Sequence, residues 1–285
     1  MDFNTTENKI LSGKKIAANI YSKLEKNIAD LERKPTLGAV LIWDNDSPSF
    51  RYIKQKRKFA EEVGMNFELF QFPVTITEES FIQEIYKLNH NNAISGYMVQ
   101  LPIPEHIDIN RVIRNIHPKK DVDGFHPENQ WKIMIWDTTW LSPCTPAGVI
   151  EIFKQYKIKL TWKNVVVLWQ SNIVGKPVSQ MCINQWATVI SCNHNTPDIS
   201  LYTKHADIII SATGHIWLLS PEIVNPQTVI IDVGFSVKDW KIYWDAQFEK
   251  LLAQGNAITP VPGWVWPMTV AMLLSNTLKA HESKK

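Results

Sequence analysis

The sequence is short of glycine and unusually rich in tryptophan. Its 285 residues include 11 glycines, whereas an average usage of about 7% would give roughly 20. They also include 12 tryptophans, so the two residue types together number 23. The combined number, rather than the glycine number alone, is close to the glycine content of an ordinary chain.

Cysteine and long apolar runs are also scarce. The three cysteines, Cys144, Cys182 and Cys192, have no metal-ligand spacing and form no disulfide framework, which fits a reducing compartment. The N-terminus, MDFNTTENKI, lacks the apolar core of a signal peptide, and no run of 18 apolar residues occurs. We therefore expect a cytoplasmic protein without a membrane partner.

A strong excess of charge of either sign is absent as well. The formal net charge of +2 provides no general attraction to nucleic acid, and we expect no nucleic-acid partner. Hydrophobic residues at 45% and charged residues at 20% are typical of a soluble globular protein. Asp121, Asp123 and His126 could be interpreted as metal ligands, but their spacing fixes no ligand geometry, and we expect no metal site.

Alternating helical and strand patterns predict an α/β protein. In the first half, apolar strands at 36–43, 66–72 and 94–100 are separated by helical patterns, which predicts a mainly parallel sheet. In the second half, short strands and helices alternate as in a doubly wound, Rossmann-like sheet. Ligands of such sheets bind beyond the carboxyl ends of the strands.

The predicted domain boundary follows a long irregular stretch, 117–143. Loops of this length are usually functional or disordered. A helix that begins just after the stretch leads into the second half of the chain. We predict a first domain of residues 1–145, completed by the C-terminal helix 267–285, and a dinucleotide-binding domain of residues 146–266.

One stretch, NVVVLWQSNIVGKP (164–177), has the pattern of a dinucleotide-binding turn. A short apolar strand is followed by a polar turn and then by the start of a helix, whose free N–H groups could face a pyrophosphate. Trp169 occupies the position directly after the strand, where such a turn favours glycine. On spacing alone, a nucleotide site and a plain βαβ unit remain equally open.

A basic helix in the first half carries Tyr52 and Lys56 on one face. The two residues are four apart, which is close to one helical turn. Without further context, a solvated helix surface is the favoured interpretation of this pattern.

Seven stretches, taken in order, resemble one family. They are YIKQK (52–56), VQLPIP (99–104), KDVDGFHPEN (120–129), PCTPAG (143–148), SNIVGKP (171–177), IDVG (231–234) and ITPVPG with PMT (258–269). Together they resemble the FolD family of bifunctional methylenetetrahydrofolate dehydrogenases and methenyltetrahydrofolate cyclohydrolases, from about residue 10 to residue 280. The resemblance implies two α/β domains around a cleft and a homodimer formed through the nucleotide domains.

The resemblance also implies a two-step reaction of one-carbon metabolism. NADP oxidises 5,10-methylenetetrahydrofolate, and the 5,10-methenyl product is hydrolysed to 10-formyltetrahydrofolate, which connects the enzyme to purine biosynthesis. Carried over by position, Lys56 is the cyclohydrolase lysine, and Gln100 hydrogen-bonds it. Tyr52 stacks on the folate, and Asp123 holds the donor edge of the pterin.

The family's ligand-binding positions fall on further residues of this sequence. The resemblance implies contact with the cofactor for Trp169, Gln170, Ser171, Ile173, His194 and Phe235. It implies contact with the folate for Tyr52, Gln100, Asp123, Pro262, Gly263 and Thr269. Hydride transfer itself requires positioning rather than a protein nucleophile.

The sequence departs from the family pattern at the cofactor turn. The family usually has Gly-Arg-Ser, with the arginine on the 2′-phosphate of NADP, whereas this chain has Trp169-Gln170-Ser171. NADP remains the expected cofactor, and NAD is the alternative. Other family glycine positions also hold tryptophan, as at Trp43, Trp131, Trp162, Trp217, Trp240, Trp244, Trp264 and Trp266.

The tryptophans leave several interpretations open. If they are genuine, the chain could be a folate-binding protein without catalysis, or a relative that has kept only the dehydrogenase or only the cyclohydrolase. The alternative is that the organism makes glycine at most or all of the 12 positions, because UGA codons that it reads as glycine have been translated as tryptophan. The pair Asp239-Trp240 supports this, since Asp-Gly is the common hairpin signal.

Overall fold

A computed structural model describes residues 9–43, 48–239, 241–260, 263 and 265–283. The chain divides into two compact units. The first unit comprises Ala18–Cys144 with Val270–Lys285, and the second comprises Met1–Ala17 with Thr145–Thr269. Both units combine helices with parallel sheets, so the predicted α/β class is confirmed.

The first unit is built on a three-stranded parallel sheet in the order β2-β1-β3. Its strands are β1 (Thr36–Leu41), β2 (Asn66–Gln71) and β3 (Gly96–Val99). Its helices are α1 (Gly13–Ala29), α2 (Pro48–Glu62), α3 (Glu78–His90), α4 (Ile109–Asn115) and α5 (Pro127–Met134), with a 3₁₀ turn at Pro118–Lys120. The central strand β1 is buried along five of its six residues, as expected for an apolar run covered on both faces.

The second unit is built on a five-stranded parallel sheet in the order β10-β7-β6-β4-β5. Its strands are β4 (Asn164–Leu168), β5 (Thr188–Cys192), β6 (Ile208–Ser211), β7 (Val229–Asp232) and β10 (Ala257–Ile258), beside an antiparallel hairpin of β8 (Phe235–Lys238) and β9 (Lys241–Trp244). Its helices are α6 (Cys144–Gln155), α7 (Gly175–Ile183), α8 (Ser200–Thr203) and α9 (Phe248–Gln254). The last helix, α10 (Val265–Glu282), belongs to the first unit from Val270 onwards. The order reverses at β4, as in a Rossmann-like sheet.

A helix lies inside the stretch that the sequence analysis predicted to be irregular. His126 caps α5 by accepting a hydrogen bond from the Glu128 amide through its ring, and Pro127 occupies the first turn. Proline at that position and an acidic residue beside it are ordinary helix-start signals. The loop prediction for 117–143 was therefore wrong for this part, because those signals were not weighed against its length.

Residues 9–17 belong to the second unit. Ile10 forms a parallel bridge to Ile258, and the Leu11 amide donates a 2.9 Å hydrogen bond to the Ile258 carbonyl. The Ser12 amide donates a 2.7 Å hydrogen bond to the Tyr156 hydroxyl. These contacts extend the edge of the larger sheet. Local periodicity in the sequence does not reveal such a pairing.

Candidate active site

The side chain of Lys56 lies against the end of β3. Helix α2 presents Lys56 to the sheet, where its Nζ atom donates a 2.9 Å hydrogen bond to Oε1 of Gln100 and lies 3.1 Å from Sδ of Met98. Gln100 is itself fixed, because its amide donates to the Val40 carbonyl and its Nε2 donates to Leu101. The amine is therefore held at one place at the carboxyl end of the sheet.

Electrostatic coupling joins Lys56 to Asp123. Burial lowers the pKa of Lys56 below its ordinary value, and the negative charge of Asp123 partly offsets that shift. Burial also raises the pKa of Asp123 to about 7, against the opposing effect of Lys56. Both groups can therefore change protonation state closer to neutral pH than free side chains do. Such a pair can bind a polar substrate and move protons.

The loop that carries Asp123 is held by its neighbour Asp121. Oδ1 of Asp121 accepts a hydrogen bond from the Gly124 amide, and Oδ2 accepts from the His126 amide and from Nδ2 of Asn129. Asp121 is buried, so these three donors replace the water that its carboxyl group loses. Gly124 has φ +74°, a conformation that favours glycine. The position of Asp123 follows from this turn.

Tyr52 lies one helical turn before Lys56 on α2, and its side chain is exposed. The sequence-predicted group of Tyr52, Lys56, Gln100 and Asp123 thus belongs to one unit of the fold. The described contacts join Lys56 to Gln100 directly and to Asp123 through charge.

Two residues near Lys56 were not predicted. Met98 precedes Gln100 by two residues, and the period of a strand places both side chains on the same face, so the spacing could have revealed it. Cys144 is buried, and its thiol interacts electrostatically with Lys56 and Asp123. Nothing in the local sequence of Cys144 indicates this position, because it depends on the packing of α6.

The dinucleotide-type turn is present between β4 and α7. Ser171 Oγ accepts hydrogen bonds from the Val174 and Gly175 amides at the start of the helix. A Cβ atom on Gly175 would lie 1.8 Å from the carbonyl oxygen of Trp169, so the turn closes more tightly than any other residue type allows. This close approach of strand end and helix start is the geometry that brings a backbone against a pyrophosphate.

Gln170 and His194 lie on neighbouring turns of the second unit. Gln170 Nε2 donates to the Ser191 carbonyl, and its Oε1 accepts from Nδ2 of Asn193. The ring of His194 lies 6.0 Å, centroid to centroid, from the ring of Trp169. Gln170 therefore holds the turns after β4 and β5 together.

A cavity of about 450 Å³ opens where β4, β5 and β6 end. Leu168, Trp169, Cys192, His194, Thr213 and His215 are among the residues that line it. Its volume is within the range of pockets for small ligands and cofactors. The backbone around the turn therefore fits a dinucleotide, whereas the Trp169 side chain lines the cavity beside the turn.

The remaining predicted residues are spread over the second unit. Ile173 and Phe235 are exposed, the former in the turn before α7 and the latter at the start of β8. Thr269 Oγ1 donates to the Val265 carbonyl and forms a 3.0 Å hydrogen bond with Thr145 Oγ1. Gly263 has φ +143° and open space around its Cα atom, whereas Pro262 lies outside the described residues.

Neither a metal centre nor a membrane helix is found in the part of the chain that the structure describes. Within those residues, no group of three or more His, Cys, Asp or Glu side chains could hold a metal ion. Over the same residues, each helix is too short or too polar to cross a membrane.

Family profiles and curated relatives match nearly the whole chain. Residues 11–123 match the catalytic domain of tetrahydrofolate dehydrogenase/cyclohydrolase, and residues 143–285 match its NAD(P)-binding domain. The bifunctional protein FolD of Nautilia profundicola is 42% identical over 278 residues, with 96% of this chain and 97% of that protein covered. FolD of Bacillus subtilis is 42% identical over 275 residues, with 95% of this chain and 96% of that protein covered.

Solved structures of related enzymes have the same fold. The bifunctional FolD enzyme of Campylobacter jejuni matches with a TM-score of 0.94 at 38% identity, covering 97% of this chain and 99% of that chain. The Trypanosoma brucei enzyme, solved with NADP and an inhibitor, matches with a TM-score of 0.90 at 32% identity. The match covers 96% of this chain and 97% of that chain. The resemblance inferred from seven short stretches is thereby confirmed, and the chain belongs to the tetrahydrofolate dehydrogenase/cyclohydrolase family.

Proposed function

We propose that this protein oxidises 5,10-methylenetetrahydrofolate with NADP and then hydrolyses the 5,10-methenyl product to 10-formyltetrahydrofolate. Membership of the family supports both activities. The observation that carries the proposal is the amine of Lys56, which is partly buried, hydrogen-bonded to Gln100 and electrostatically coupled to Asp123. An amine with a lowered pKa in such a setting exchanges protons closer to neutral pH than a free lysine does.

In the hydrolysis, the work of Lys56 is proton transfer. Water attacks the amidinium carbon of the methenyl group, and Nζ of Lys56 accepts the proton that the water loses. As the bond from that carbon to the ring nitrogen breaks, Nζ returns a proton to the nitrogen. The remaining proton of the attacking oxygen leaves to solvent as the formyl carbonyl forms, so the overall step consumes one water and releases one proton. The hydrogen bond to Gln100 keeps Nζ in one orientation during both transfers.

Asp123 and Tyr52 bind the folate. A carboxylate at Asp123 accepts hydrogen bonds from the donor edge of the pterin, and such donors favour its ionised form. Because burial holds the pKa of Asp123 at about 7, substrate binding is coupled to its ionisation. The exposed ring of Tyr52 provides a stacking surface one turn from Lys56.

The second unit binds the dinucleotide, for which NAD is the alternative to NADP. When bound, NADP supplies the hydride acceptor. The chain contributes the turn after β4, with Gln170, Ser171 and Ile173, and the facing residues His194 and Phe235. Pro262, Gly263 and Thr269 complete the folate-binding residues.

The substitution Lys56→Met tests the hydrolysis. Methionine keeps the length of the side chain but cannot carry a proton, so we expect the cyclohydrolase rate to fall about 10²–10⁴-fold while folate binding stays within about tenfold. Lys58→Met is the matched control, because Lys58 is exposed on the same helix and pairs with Glu62 at 3.8 Å. The methenyl substrate can be added directly, so this assay does not depend on the dinucleotide. A near-normal rate in Lys56→Met would remove Lys56 from the mechanism.

The assembly and location are further parts of the proposal. We expect a homodimer formed through the nucleotide-binding units, in the cytoplasm, whose product serves formyl transfer in purine biosynthesis. The three cysteines are free and buried, which supports a reducing compartment. Light scattering of the purified protein tests the dimer, and a monomer mass at micromolar concentration would contradict it.

Two alternatives raised by the sequence are not favoured. A folate-binding protein without catalysis would not need the Lys56–Gln100 hydrogen bond or the coupled Asp123. A relative with one activity is not favoured, because the curated relatives that match nearly the whole chain at 42% identity are bifunctional FolD proteins.

A further inference from the structure

We propose that the natural protein carries glycine where this sequence has tryptophan, because its gene contains UGA codons that the organism reads as glycine. The backbone conformation of five tryptophans carries this proposal. They have φ between +57° and +96°: Trp136, Trp162, Trp169, Trp186 and Trp217. Only a few per cent of non-glycine residues adopt positive φ, whereas five of the ten tryptophans that the structure describes do so.

Trp136 and Trp186 terminate helices in the way that glycine does. The Trp136 amide donates to the carbonyl three residues earlier, and the Asp137 amide donates to the carbonyl five residues earlier, at 3.1 and 2.9 Å. Trp186 and Ala187 repeat this pair of bonds at 2.9 and 3.2 Å. The pattern is a Schellman motif, whose left-handed residue is usually glycine.

The chain's own glycines occupy the same position at two other helix ends. Gly64 and Gly255 have φ +82° and +118°, and the amide of each donates to the carbonyl three residues earlier. The amides of the next residues, Met65 and Asn256, donate to the carbonyl five residues earlier. Among the described residues, glycine and tryptophan occupy four of the five helix ends of this kind, and Lys157, with φ +53° and the same two bonds, occupies the fifth. The position therefore favours glycine, and Trp136 and Trp186 stand where the chain elsewhere uses it.

Trp162 and Trp217 occupy the third position of tight turns. In each turn the next residue, Lys163 or Leu218, donates its amide to the carbonyl three residues earlier, at 3.0 and 3.3 Å. Among the described residues of the two turns, only the tryptophan at the third position has positive φ. That arrangement is a type II turn, which requires positive φ there and therefore favours glycine.

Trp169 is the fifth case and the one that touches the proposed function. It follows β4 with φ +96°, and its carbonyl oxygen packs against the Cα atom of Gly175. Its indole lines the cavity into which the turn faces. A glycine at this position would relieve the backbone conformation and also clear the approach to the pyrophosphate-binding turn.

The burial of the tryptophans agrees with their backbone conformations. Tryptophan is highly buried on average, yet none of the ten described here is buried, and Trp162 is 91% exposed. The rings therefore provide little of the core that such large side chains normally fill. The composition extends the inference to all 12 positions, because 11 glycines and 12 tryptophans together approach an ordinary glycine content.

Mass spectrometry of the protein isolated from its organism tests the assignment directly. Peptides that contain positions 162 and 186 are expected to carry glycine, and the codons at the 12 positions are expected to be UGA. Tryptophan in those peptides, or UGG at those codons, would overturn the proposal.

Purified variants test the structural reason independently of the gene. The reference chain carries Trp→Gly at all five positive-φ positions, and five further chains each keep one of these tryptophans. Each retained tryptophan is expected to lower the ratio of folded to unfolded chain at least about two- to fivefold in urea titrations. This design remains informative if the unchanged chain does not fold. Ratios of folded to unfolded chain equal to or above that of the reference chain would contradict the proposed strain at positive φ.

Trp131 provides the matched control, since it lies inside α5 and is exposed without positive φ. Adding Trp131→Gly to the reference chain should lower the folded ratio, because glycine is unfavourable inside a helix. If Trp131→Gly raised the folded ratio as much as Trp→Gly does at the five positions, loss of any exposed indole would be stabilising. That result would overturn the explanation by backbone conformation.

The effect on the cofactor rests on the proposed function and needs its own measurement. Calorimetric titration with NADP is expected to give at least tenfold tighter binding to the reference chain than to the chain that keeps Trp169. The chain that keeps Trp162, at a turn outside the cavity lining, should bind like the reference chain. If the stability results hold but no chain binds a dinucleotide, the glycine assignment stands and the proposed dehydrogenase function fails.

Discussion

Nζ of Lys56 donates a 2.9 Å hydrogen bond to Oε1 of Gln100, and the two residues are 44 positions apart in the sequence. The bond joins helix α2 to the end of β3, so the site is assembled by the packing of a helix on a parallel sheet. Gln100 is buried and is fixed by two further hydrogen bonds. The amine therefore has a partner that cannot easily move away.

Gln100→Leu should reduce the cyclohydrolase rate more than the affinity for folate. Losing a hydrogen bond to a charged group costs about 1.5–3 kcal/mol, which corresponds to at least about a tenfold loss in rate if it falls on the reacting amine. The limb of the pH–rate profile that reports Lys56 should also move to lower pH, because the ammonium form loses its acceptor. An unchanged profile would indicate that Gln100 acts only through stability. Gln155→Leu, on α6, is a surface control.

Asp123→Asn should lower the pKa of Lys56 further. Burial lowers the pKa of Lys56 and the charge of Asp123 opposes that shift, so removing the charge leaves the burial effect unopposed. The Lys56 limb of the pH profile is then expected at lower pH than in the unchanged protein. Direct measurement is possible through the pH dependence of reductive methylation of Lys56. A limb at higher pH would contradict the coupling.

The same substitution should alter the pH dependence of stability. Burial raises the pKa of Asp123 to about 7, above its ordinary value of 3.8. Between these values the unfolded chain releases its proton first, so the contribution of Asp123 to stability is present below about pH 4 and is lost as the pH rises through 7. The free energy of unfolding of Asp123→Asn, relative to that of the unchanged protein, should therefore be higher at pH 8 than at pH 4. Urea titrations at both pH values measure this difference.

The strands were predictable because a buried strand has an apolar local sequence. The run of valines before Leu168 is a buried strand, and the predicted strand at 36–43 contains the buried β1. By contrast, α9 and the β8–β9 hairpin were not predicted as elements, since short surface pieces carry a weak periodic signal. The Asp239-Trp240 turn signal does fall between the hairpin strands, and Asp239 has φ +50°, while Trp240 lies outside the described residues.

The candidate site was only partly accessible from the sequence. The helical spacing of Tyr52 and Lys56 is a local feature, but it favoured a solvated surface until the resemblance was considered. The neighbourhood of Lys56 depends on strands and turns distant in sequence, as the approach of Cys144 to Lys56 and Asp123 illustrates. Local patterns therefore identified candidate residues, whereas the coupling of their protonation states required the packed structure.

Asp121→Asn should loosen the loop that carries Asp123. The amide group of asparagine places a donor either at the Oδ1 position, opposite the Gly124 amide, or at the Oδ2 position, opposite the His126 amide and Nδ2 of Asn129. One buried donor left without an acceptor costs about 1–3 kcal/mol. Urea unfolding should report this loss, and hydrogen exchange should be faster at Gly124 and His126. Asp137→Asn, at an exposed turn, is the control that should change neither.

Gln170 should weaken the discrimination between NADP and NAD. In the family pattern an arginine meets the 2′-phosphate, whereas Gln170 of this chain is neutral and is held by Ser191 and Asn193. Loss of one charge-assisted contact costs about 1.5–3 kcal/mol, so discrimination in favour of NADP should be weaker by about 10–150-fold than with an arginine there. His194 and Lys176 are the remaining candidates near the turn for contact with the 2′-phosphate.

The ratio of kcat/KM for the two cofactors measures this discrimination, in the chain that carries Trp169→Gly so that the turn is open. Adding Gln170→Arg should raise the preference for NADP, because a guanidinium can form two parallel hydrogen bonds with a phosphate. The added preference should diminish with salt, since an exposed charge pair is screened. Gln180→Arg, on α7 away from the turn, controls for added charge. A preference for NADP above about a thousandfold with Gln170 in place would contradict this account, since it would require another residue to hold the 2′-phosphate.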